Sequence, residues 1–158
     1  MSGVDALVTR LVDGLPAGAA LVVTADHGQV NVPADRRFDL DLDPRLRAGL
    51  RLVAGESRVR YLHTVDGAGE DVIATWRGIL GDAAWVMSRD EAVAEGWFAA
   101  VPPAHLGRIG DVVVACHDDY VVVASLSEAA HNARNVAYHA SATEVEMRIP
   151  LLVLSKAG

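Results

Sequence analysis

A short run of apolar residues, Ala19–Thr24 (AALVVT), constrains the fold of this chain more than any other feature. Runs of this length without polar alternation are typical of strands buried on both faces, as in the parallel sheets of α/β proteins. The run is followed closely by Asp26-His27-Gly28, and a second apolar run, Leu151–Leu154, lies near the end of the sequence. Helical periodicity over Val4–Leu15 precedes the first run and predicts an amphipathic helix. The two ends of the chain are therefore predicted to be pieces of an α/β core.

The middle of the sequence has a different pattern. Strand-like and helix-like segments follow one another there in the order β-α-β-α-β-β: Ser57–Thr64, Glu70–Leu80, Ala84–Met87, Arg89–Glu95, Asp111–Cys116 and Tyr120–Ser125. The last two runs flank His117-Asp118-Asp119, which predicts a hairpin with a polar turn. This order is typical of a small α+β unit. We therefore predict an inserted α+β subdomain over 36–130, between core pieces 1–35 and 131–158.

Composition excludes several classes of protein. The chain has 158 residues and a net charge of −7, with no basic stripe, which argues against a nucleic-acid polymer as partner. No apolar run approaches the roughly 18–20 residues of a membrane helix, so no membrane partner is expected. Cys116 is the only cysteine, which excludes an internal disulfide framework and a multi-cysteine zinc site. The amino terminus lacks a signal-peptide pattern. Localisation stays open, with the reducing cytoplasm the simpler expectation.

Two segments carry residue types suited to metal chemistry. Asp26 and His27 follow the carboxyl end of a predicted buried strand, where ligands bind in open α/β sheets. A turn at Gly28 would allow both side chains to face one cation, and carboxylate plus imidazole suits zinc or manganese. His139 follows a second short apolar stretch and is another candidate ligand. The alternatives are that Asp26 caps a loop, that His27 is merely exposed and that His139 is structural.

Two sequence motifs suggest a family. The stretch LVVTADHGQV (21–30), with YHASATEVEMRIPLLVL (138–154) downstream, resembles the C-terminal part of the alkaline phosphatase superfamily. The similarity is to its type I phosphodiesterase/nucleotide pyrophosphatase branch. There the T-A-D-H-G segment supplies an Asp and a His to one of two metal ions, and a later histidine serves the other. The resemblance implies that Asp26 and His27 bind one divalent ion and His139 the other, with zinc as the implied metal and manganese as the alternative.

The chain also departs from the family pattern. Ala140 stands where the family usually has glycine, which tightens the backbone beside His139. The family's Thr or Ser nucleophile, its first metal-binding Asp and its Asp-x-x-x-His pair all precede T-A-D-H-G, and the residues before Thr24 contain no such motif. We therefore expect a partial alkaline-phosphatase-like α/β core without a catalytic nucleophile.

The resemblance implies a function for the complete protein. In this family a metal-activated nucleophile attacks phosphorus and forms a covalent intermediate, and the substrates are small phosphate esters or nucleotides. This chain is then the C-terminal portion of such a phosphohydrolase, inactive alone, with two divalent ions bound weakly or not at all. One alternative is a non-catalytic assembly module that buries an exposed sheet face against a partner or a second copy. Another is a phosphomutase or phosphonate hydrolase of the same superfamily.

Overall fold

The computed structural model describes residues 2–155, which form two compact units. The first contains the described residues up to 28 and from 148 onward, and the second contains 29–147. The boundaries that the sequence suggests, at 35/36 and 130/131, stay a prediction. Within the described residues, no helix is both long enough and apolar enough to span a membrane.

The described residues contain five α-helices and ten strands. The helices are α1 (Ser2–Asp13), α2 (Pro44–Arg47), α3 (Gly69–Leu80), α4 (Arg89–Ala94) and α5 (Glu144–Met147). The strands are β1 (Ala20–Thr24), β2 (Val30–Asn31), β3 (Arg37–Asp39), β4 (Leu50–Glu56), β5 (Val59–Thr64), β6 (Ala84–Ser88), β7 (Val112–Cys116), β8 (Val121–Val123), β9 (Ala137–Tyr138) and β10 (Leu151–Ser155).

The first unit consists of α1 and an antiparallel pair of strands, β1 and β10. Val22 lies opposite Val153, and Thr24 lies opposite Leu151. The side chains of β1 alternate between exposed and half-buried, and Val22 is 56% exposed. The expectation of a strand buried on both faces of a parallel sheet is therefore wrong, because in the described residues β1 pairs with one strand only and that strand is antiparallel. Apolar composition shows what a strand is able to bury, whereas burial itself depends on what packs against it.

The second unit is built around a four-stranded antiparallel sheet in the order β4-β5-β7-β6. On one face α3 packs its buried side chains Val72, Trp76 and Leu80, which recur every four residues as helical geometry requires. On the other face a second cluster contains Met87 and Val113. Both faces of the sheet are covered, so the predicted α+β arrangement has its own core.

The predicted hairpin between β7 and β8 is wrong. β7 lies between β5 and β6 in the sheet, so both of its edges are occupied and β8 has no place beside it. The turn after Cys116 instead carries the chain out of the sheet, and β8 forms a parallel pair with β3. The five residues of β7 and the three of β8 are all buried. Two apolar strands joined by a polar turn need not pair with each other.

Candidate metal centre

Asp26 and His27 lie in the bend that follows β1. The backbone N–H of His27 donates to Oδ1 of Asp26 at 3.1 Å, and Nδ1 of the His27 ring lies 2.8 Å from the carbonyl oxygen of Gly28. A carbonyl oxygen only accepts hydrogen bonds, so Nδ1 carries a proton in this arrangement. In the neutral ring the lone pair is then on Nε2, which lies 3.7 Å from Oδ2 of Asp26. The two side chains therefore lie near each other, and their role as ligands of one cation stays a prediction.

This geometry fits a divalent cation. Two ligand atoms, each about 2.1 Å from a tetrahedral zinc ion, lie about 3.4 Å apart, close to the observed separation of Nε2 and Oδ2. A backbone carbonyl that accepts from the second ring nitrogen is one of the usual groups that orient a metal-binding histidine. The Asp26 side chain is 87% exposed and that of His27 is 34% exposed, so both are open to an ion from solvent.

His139 belongs to the second unit and follows β9 directly. It is half-buried and, together with Glu56, Asn132 and Asn135, lines a small polar cavity of about 60 Å³. Tyr138, the residue before it, is buried, and its hydroxyl donates to the carbonyl oxygen of Asn132 at 2.6 Å. His139 is therefore placed at a polar site by a strand whose last residue is anchored.

The residue after His139 has an unusual backbone conformation. Ala140 has φ of +100°, and Asp118 is the only other non-glycine residue with positive φ among residues 2–155. This is a region of backbone space that glycine adopts without cost and a residue with a Cβ does not. The sequence resemblance described above implies glycine at this position. The substitution noticed in the sequence thus corresponds to a strained peptide beside the candidate ligand.

A buried ion pair lies close to this strained residue. Arg58 and Glu146 have side chains that are 0% and 1% exposed, and they form a two-pronged contact. Burial raises the pKa of Glu146, but hydrogen bonds from Arg58, Thr143 and Ser141 outweigh burial and hold the pKa below its ordinary value. Glu146 is therefore a carboxylate at neutral pH.

The ion pair between Arg58 and Glu146 is not among the features predicted from the sequence. Arg58 shares its strand parity with Arg60 and Leu62, and the buried Leu62 indicates that this parity faces the core. This alternation of buried and partly buried positions could have predicted that the side chains of Arg58 and Arg60 point into the core. It does not identify Glu146 as the partner of Arg58, because 88 residues separate them.

The remaining polar candidates have structural roles. The ring of His117 contacts that of Trp85, with 3.5 Å between centroids, and His117-Asp118-Asp119 forms the turn after β7. Cys116 is buried, which raises the pKa of its thiol to about 12. Across the described part of the chain, no group of three or more His, Cys, Asp or Glu side chains is arranged to hold a metal ion. Of the three predicted ligands, the structure brings together Asp26 and His27.

Comparisons of the sequence and of the structure with known proteins point to the same family. The family model for type I phosphodiesterase / nucleotide pyrophosphatase matches residues 1–142. No curated protein matches the chain. Among solved structures, murine ectonucleotide pyrophosphatase/phosphodiesterase 5 is similar at 18% identity and a TM-score of 0.73, covering 99% of this chain. The murine protein has also been solved in an inactive form in complex with AMP.

A bacterial enzyme has the same fold. Phosphonoacetate hydrolase from Sinorhizobium meliloti 1021, in complex with phosphonoformate, is 24% identical over 94% of this chain, with a TM-score of 0.61. The present chain spans 40% of the murine protein and 38% of the bacterial one. The architecture of this chain is thus a mixed α/β portion of that larger fold.

Proposed function

Because this chain belongs to the type I phosphodiesterase/nucleotide pyrophosphatase family of phosphoric ester hydrolases, we propose that it is the C-terminal portion of a two-metal phosphohydrolase. The observation that carries this proposal is the pair formed by Asp26 and His27, with 3.7 Å between Oδ2 and Nε2. A carboxylate beside an oriented imidazole is half of a tetrahedral ligand set.

Each proposed ligand has a defined role. Asp26 supplies a negative charge to the first ion, and His27 supplies the Nε2 lone pair, held in orientation by the Gly28 carbonyl. His139 supplies an imidazole to the second ion. When bound, such a pair of divalent ions stabilises negative charge on attacking and leaving oxygens. Zinc suits this ligand set, and manganese is the alternative.

The substrate class follows from charge and family. The chain has a net charge of −7, so an anionic substrate needs local positive charge, which two divalent ions would supply. Small phosphate esters and nucleotides are the proposed substrates of the complete protein, and the murine structure with AMP supports this choice. Three ligands without an assigned nucleophile lead us to expect weak metal binding and no turnover by the isolated chain.

A metal titration tests the ligand assignment. Zinc binding to the purified chain is measured by calorimetry for the parent chain and for Asp26→Asn and His27→Ala. We expect each substitution to weaken binding at least about tenfold, since each removes one direct ligand. Asp35→Asn, which removes an exposed carboxylate elsewhere, is the matched control and should bind as the parent does. Equal zinc affinity in all four chains would refute the assignment.

Hydrolysis of bis(p-nitrophenyl) phosphate, with zinc and then with manganese, tests the second part of the proposal. We expect no turnover by this chain, because no nucleophile is assigned in it. Turnover that Asp26→Asn abolishes would show that a nucleophile or activated water lies within these residues. The proposal of a catalytically incomplete portion would then be wrong, whereas the metal assignment would stand.

A second candidate function is supported by the exposed face of the strand pair in the first unit. Val22, Leu151 and Val153 lie on one face of β1 and β10 and are 56%, 70% and 65% exposed. Apolar patches of this kind mark surfaces that associate with partners or with a second copy. On this hypothesis light scattering shows an oligomer that Val22→Thr with Val153→Thr dissociates. A monomeric parent chain would exclude self-association.

The likeness to a phosphonate hydrolase supports a third candidate within the same superfamily. This likeness concerns the fold, since identity to the bacterial enzyme is 24%. Calorimetric titration of the zinc-loaded chain with AMP and with phosphonoformate compares the two substrate classes. Our proposal predicts tighter binding of AMP. Preferential binding of phosphonoformate would favour phosphonate chemistry, including the phosphonate hydrolase or phosphomutase alternatives.

A further inference from the structure

We propose that Arg58 is a positioning residue for His139, acting through Glu146. The two side chains hold the backbone that follows His139, while β9 holds the backbone that precedes it. The functional meaning of this clamp rests on the proposed role of His139 as a metal ligand. The clamp itself is a property of residues that all lie in the second unit.

The guanidinium of Arg58 lies where three segments meet. Arg58 is in the two-residue turn between β4 and β5, with its side chain fully buried. Its Nε donates to Oε1 of Glu146 at 2.7 Å, and its Nη2 donates to Oε2 at 2.8 Å. It also donates to the carbonyl oxygens of Asp118, at 2.9 Å, and of Tyr120. One cation therefore fastens the turn after β7 and the segment that contains Glu146 to the same point.

Glu146 transfers this anchoring toward His139. Its Oε1 accepts from the backbone N–H of Ser141 at 3.0 Å, and its Oε2 accepts from the hydroxyl of Thr143. The Ser141 hydroxyl donates to the carbonyl oxygen of Cys116 at 2.6 Å, at the end of β7. Ser141 is buried, and only Ala140 separates it from His139. The backbone position two residues after His139 is thus held by the carboxylate and by the sheet.

The strained backbone at Ala140 explains why the segment after His139 needs these hydrogen bonds. A peptide with φ of +100° relaxes unless its surroundings hold it. The paired strand β9 holds the chain before His139, and the Arg58–Glu146 pair holds it after Ala140. A metal ligand is effective only when its atoms stay within about 0.5 Å of the required position. Arg58 and Glu146 therefore keep the His139 imidazole in place at the cost of local strain.

A neighbouring arginine separates this role from general stabilisation. Arg60 lies two residues after Arg58, within β5, is equally buried, and donates to the carbonyl oxygen of Val122 at 2.7 Å and to Glu128. Its hydrogen bonds go to β8, to Glu128 in the segment after it and to Ser57, and none goes to 139–147. Arg58 and Arg60 thus share side-chain parity, charge and burial, and they differ in which segment they hold.

The test compares Arg58→Met with Arg60→Met by hydrogen–deuterium exchange. We expect Arg58→Met to accelerate exchange of the amides in 141–147 at least about tenfold, since the opened segment loses its anchors. Arg60→Met should leave that segment protected and loosen 125–128 instead. Arg58→Lys keeps the charge but loses the two-pronged contact, and should give an intermediate acceleration. If Arg58→Met does not fold, Arg58→Lys decides. Unchanged exchange in 141–147 would overturn the inference.

A second readout concerns His139 itself. Mn²⁺ alone is titrated into each variant while paramagnetic broadening of the His139 ring signals is followed by NMR. We expect the Mn²⁺ concentration at half-broadening to rise about 10- to 100-fold in Arg58→Met, the usual effect of removing a group that orients a ligand. The His27 signals provide an internal reference and should broaden as in the parent.

The two readouts distinguish failure of this inference from failure of the proposed function. In one outcome the His139 signals of the parent chain do not broaden, while Arg58→Met still accelerates amide exchange in 141–147. The clamp then exists, but His139 is not a metal ligand. If the His139 signals broaden equally in the parent chain and in Arg58→Met, the metal role stands and Arg58 does not position it. Equal effects of Arg58→Met and Arg60→Met on 141–147 would reduce both arginines to general stabilisers and overturn the inference.

Discussion

Replacing Ala140 by glycine should stabilise this protein, although such a change usually destabilises. With φ of +100°, the Cβ of Ala140 is held in a backbone region that costs about 1–3 kcal/mol for a residue other than glycine. Ala140 is exposed, so its methyl group contributes little by burial. Glycine increases the entropy of the unfolded chain, which costs about 0.4–1 kcal/mol. The difference leaves a net stabilisation of about 1 kcal/mol.

Urea unfolding followed by tryptophan fluorescence measures this effect. Trp76, Trp85 and Trp97 all lie in the second unit together with Ala140, so the signal reports the relevant unit. In thermal unfolding of a chain of this size, the same stabilisation of about 1 kcal/mol corresponds to a rise in melting temperature of about 2–4 °C.

The matched control is Ala142→Gly. Ala142 is also exposed but does not have a positive φ, so this change should destabilise by about 0.5–1 kcal/mol. If Ala140→Gly destabilises as much as Ala142→Gly does, the peptide after His139 is not strained. The Arg58–Glu146 pair would then have no strained backbone to hold in place.

Three further predictions follow from single sites. Gly55→Ala should lower the free energy of unfolding by more than about 2 kcal/mol, because the added Cβ would lie 2.3 Å from the carbonyl oxygen of Val59 at a φ of +86°; an unchanged urea midpoint would contradict this. Burial raises the pKa of Asp41, but bonds from Arg47, Ser127 and Leu126 hold it at about 2, below its ordinary 3.8. Because the partner Arg47 is 41% exposed and solvent screens the pair, the resulting stability is about 1 kcal/mol. It is present above pH 4 and lost as the pH falls through 2. Free energies of unfolding at pH 5 and pH 2 should show this loss, and the loss should be smaller in Asp41→Asn. The Cys116 thiol, with a pKa of about 12, should react with a disulfide reagent at pH 8 only in urea; rapid reaction of the folded chain would disprove its burial.

The sequence alone was sufficient for features that depend on neighbouring residues. The helix over 69–80 follows from apolar side chains one turn apart, and the structure buries that face against the sheet. The proximity of the Asp26 and His27 side chains was predictable because the two residues are adjacent at the end of a strand. Ala140 was recognised as unusual from its motif alone, and the structure gives the departure a physical meaning, a positive φ. Each of these features involves few residues and a short stretch of backbone.

Features that depend on strand order were not predictable in this way. The valine-rich runs before and after His117 indicate two buried strands, but not that β5 and β6 occupy both edges of β7. The apolar residues of β1 likewise indicate a capacity for burial, whereas the structure leaves Val22 more than half exposed. The hydrophobic periodicity of a segment predicts its secondary structure. It does not predict which other strand that segment will pair with.

The sequence by itself determined the local elements, the family and the candidate ligands of this protein. Each of these depends on short motifs whose residues are close together along the chain. Only the tertiary structure decided which segments pair and which buried charges meet. Arg58 and Glu146 are 88 residues apart, and their contact depends on the turn between β4 and β5, the end of β7 and the segment after His139 arriving at one point. A buried cation and a buried carboxylate stabilise a fold only when they are paired, and such pairing depends on the assembled chain.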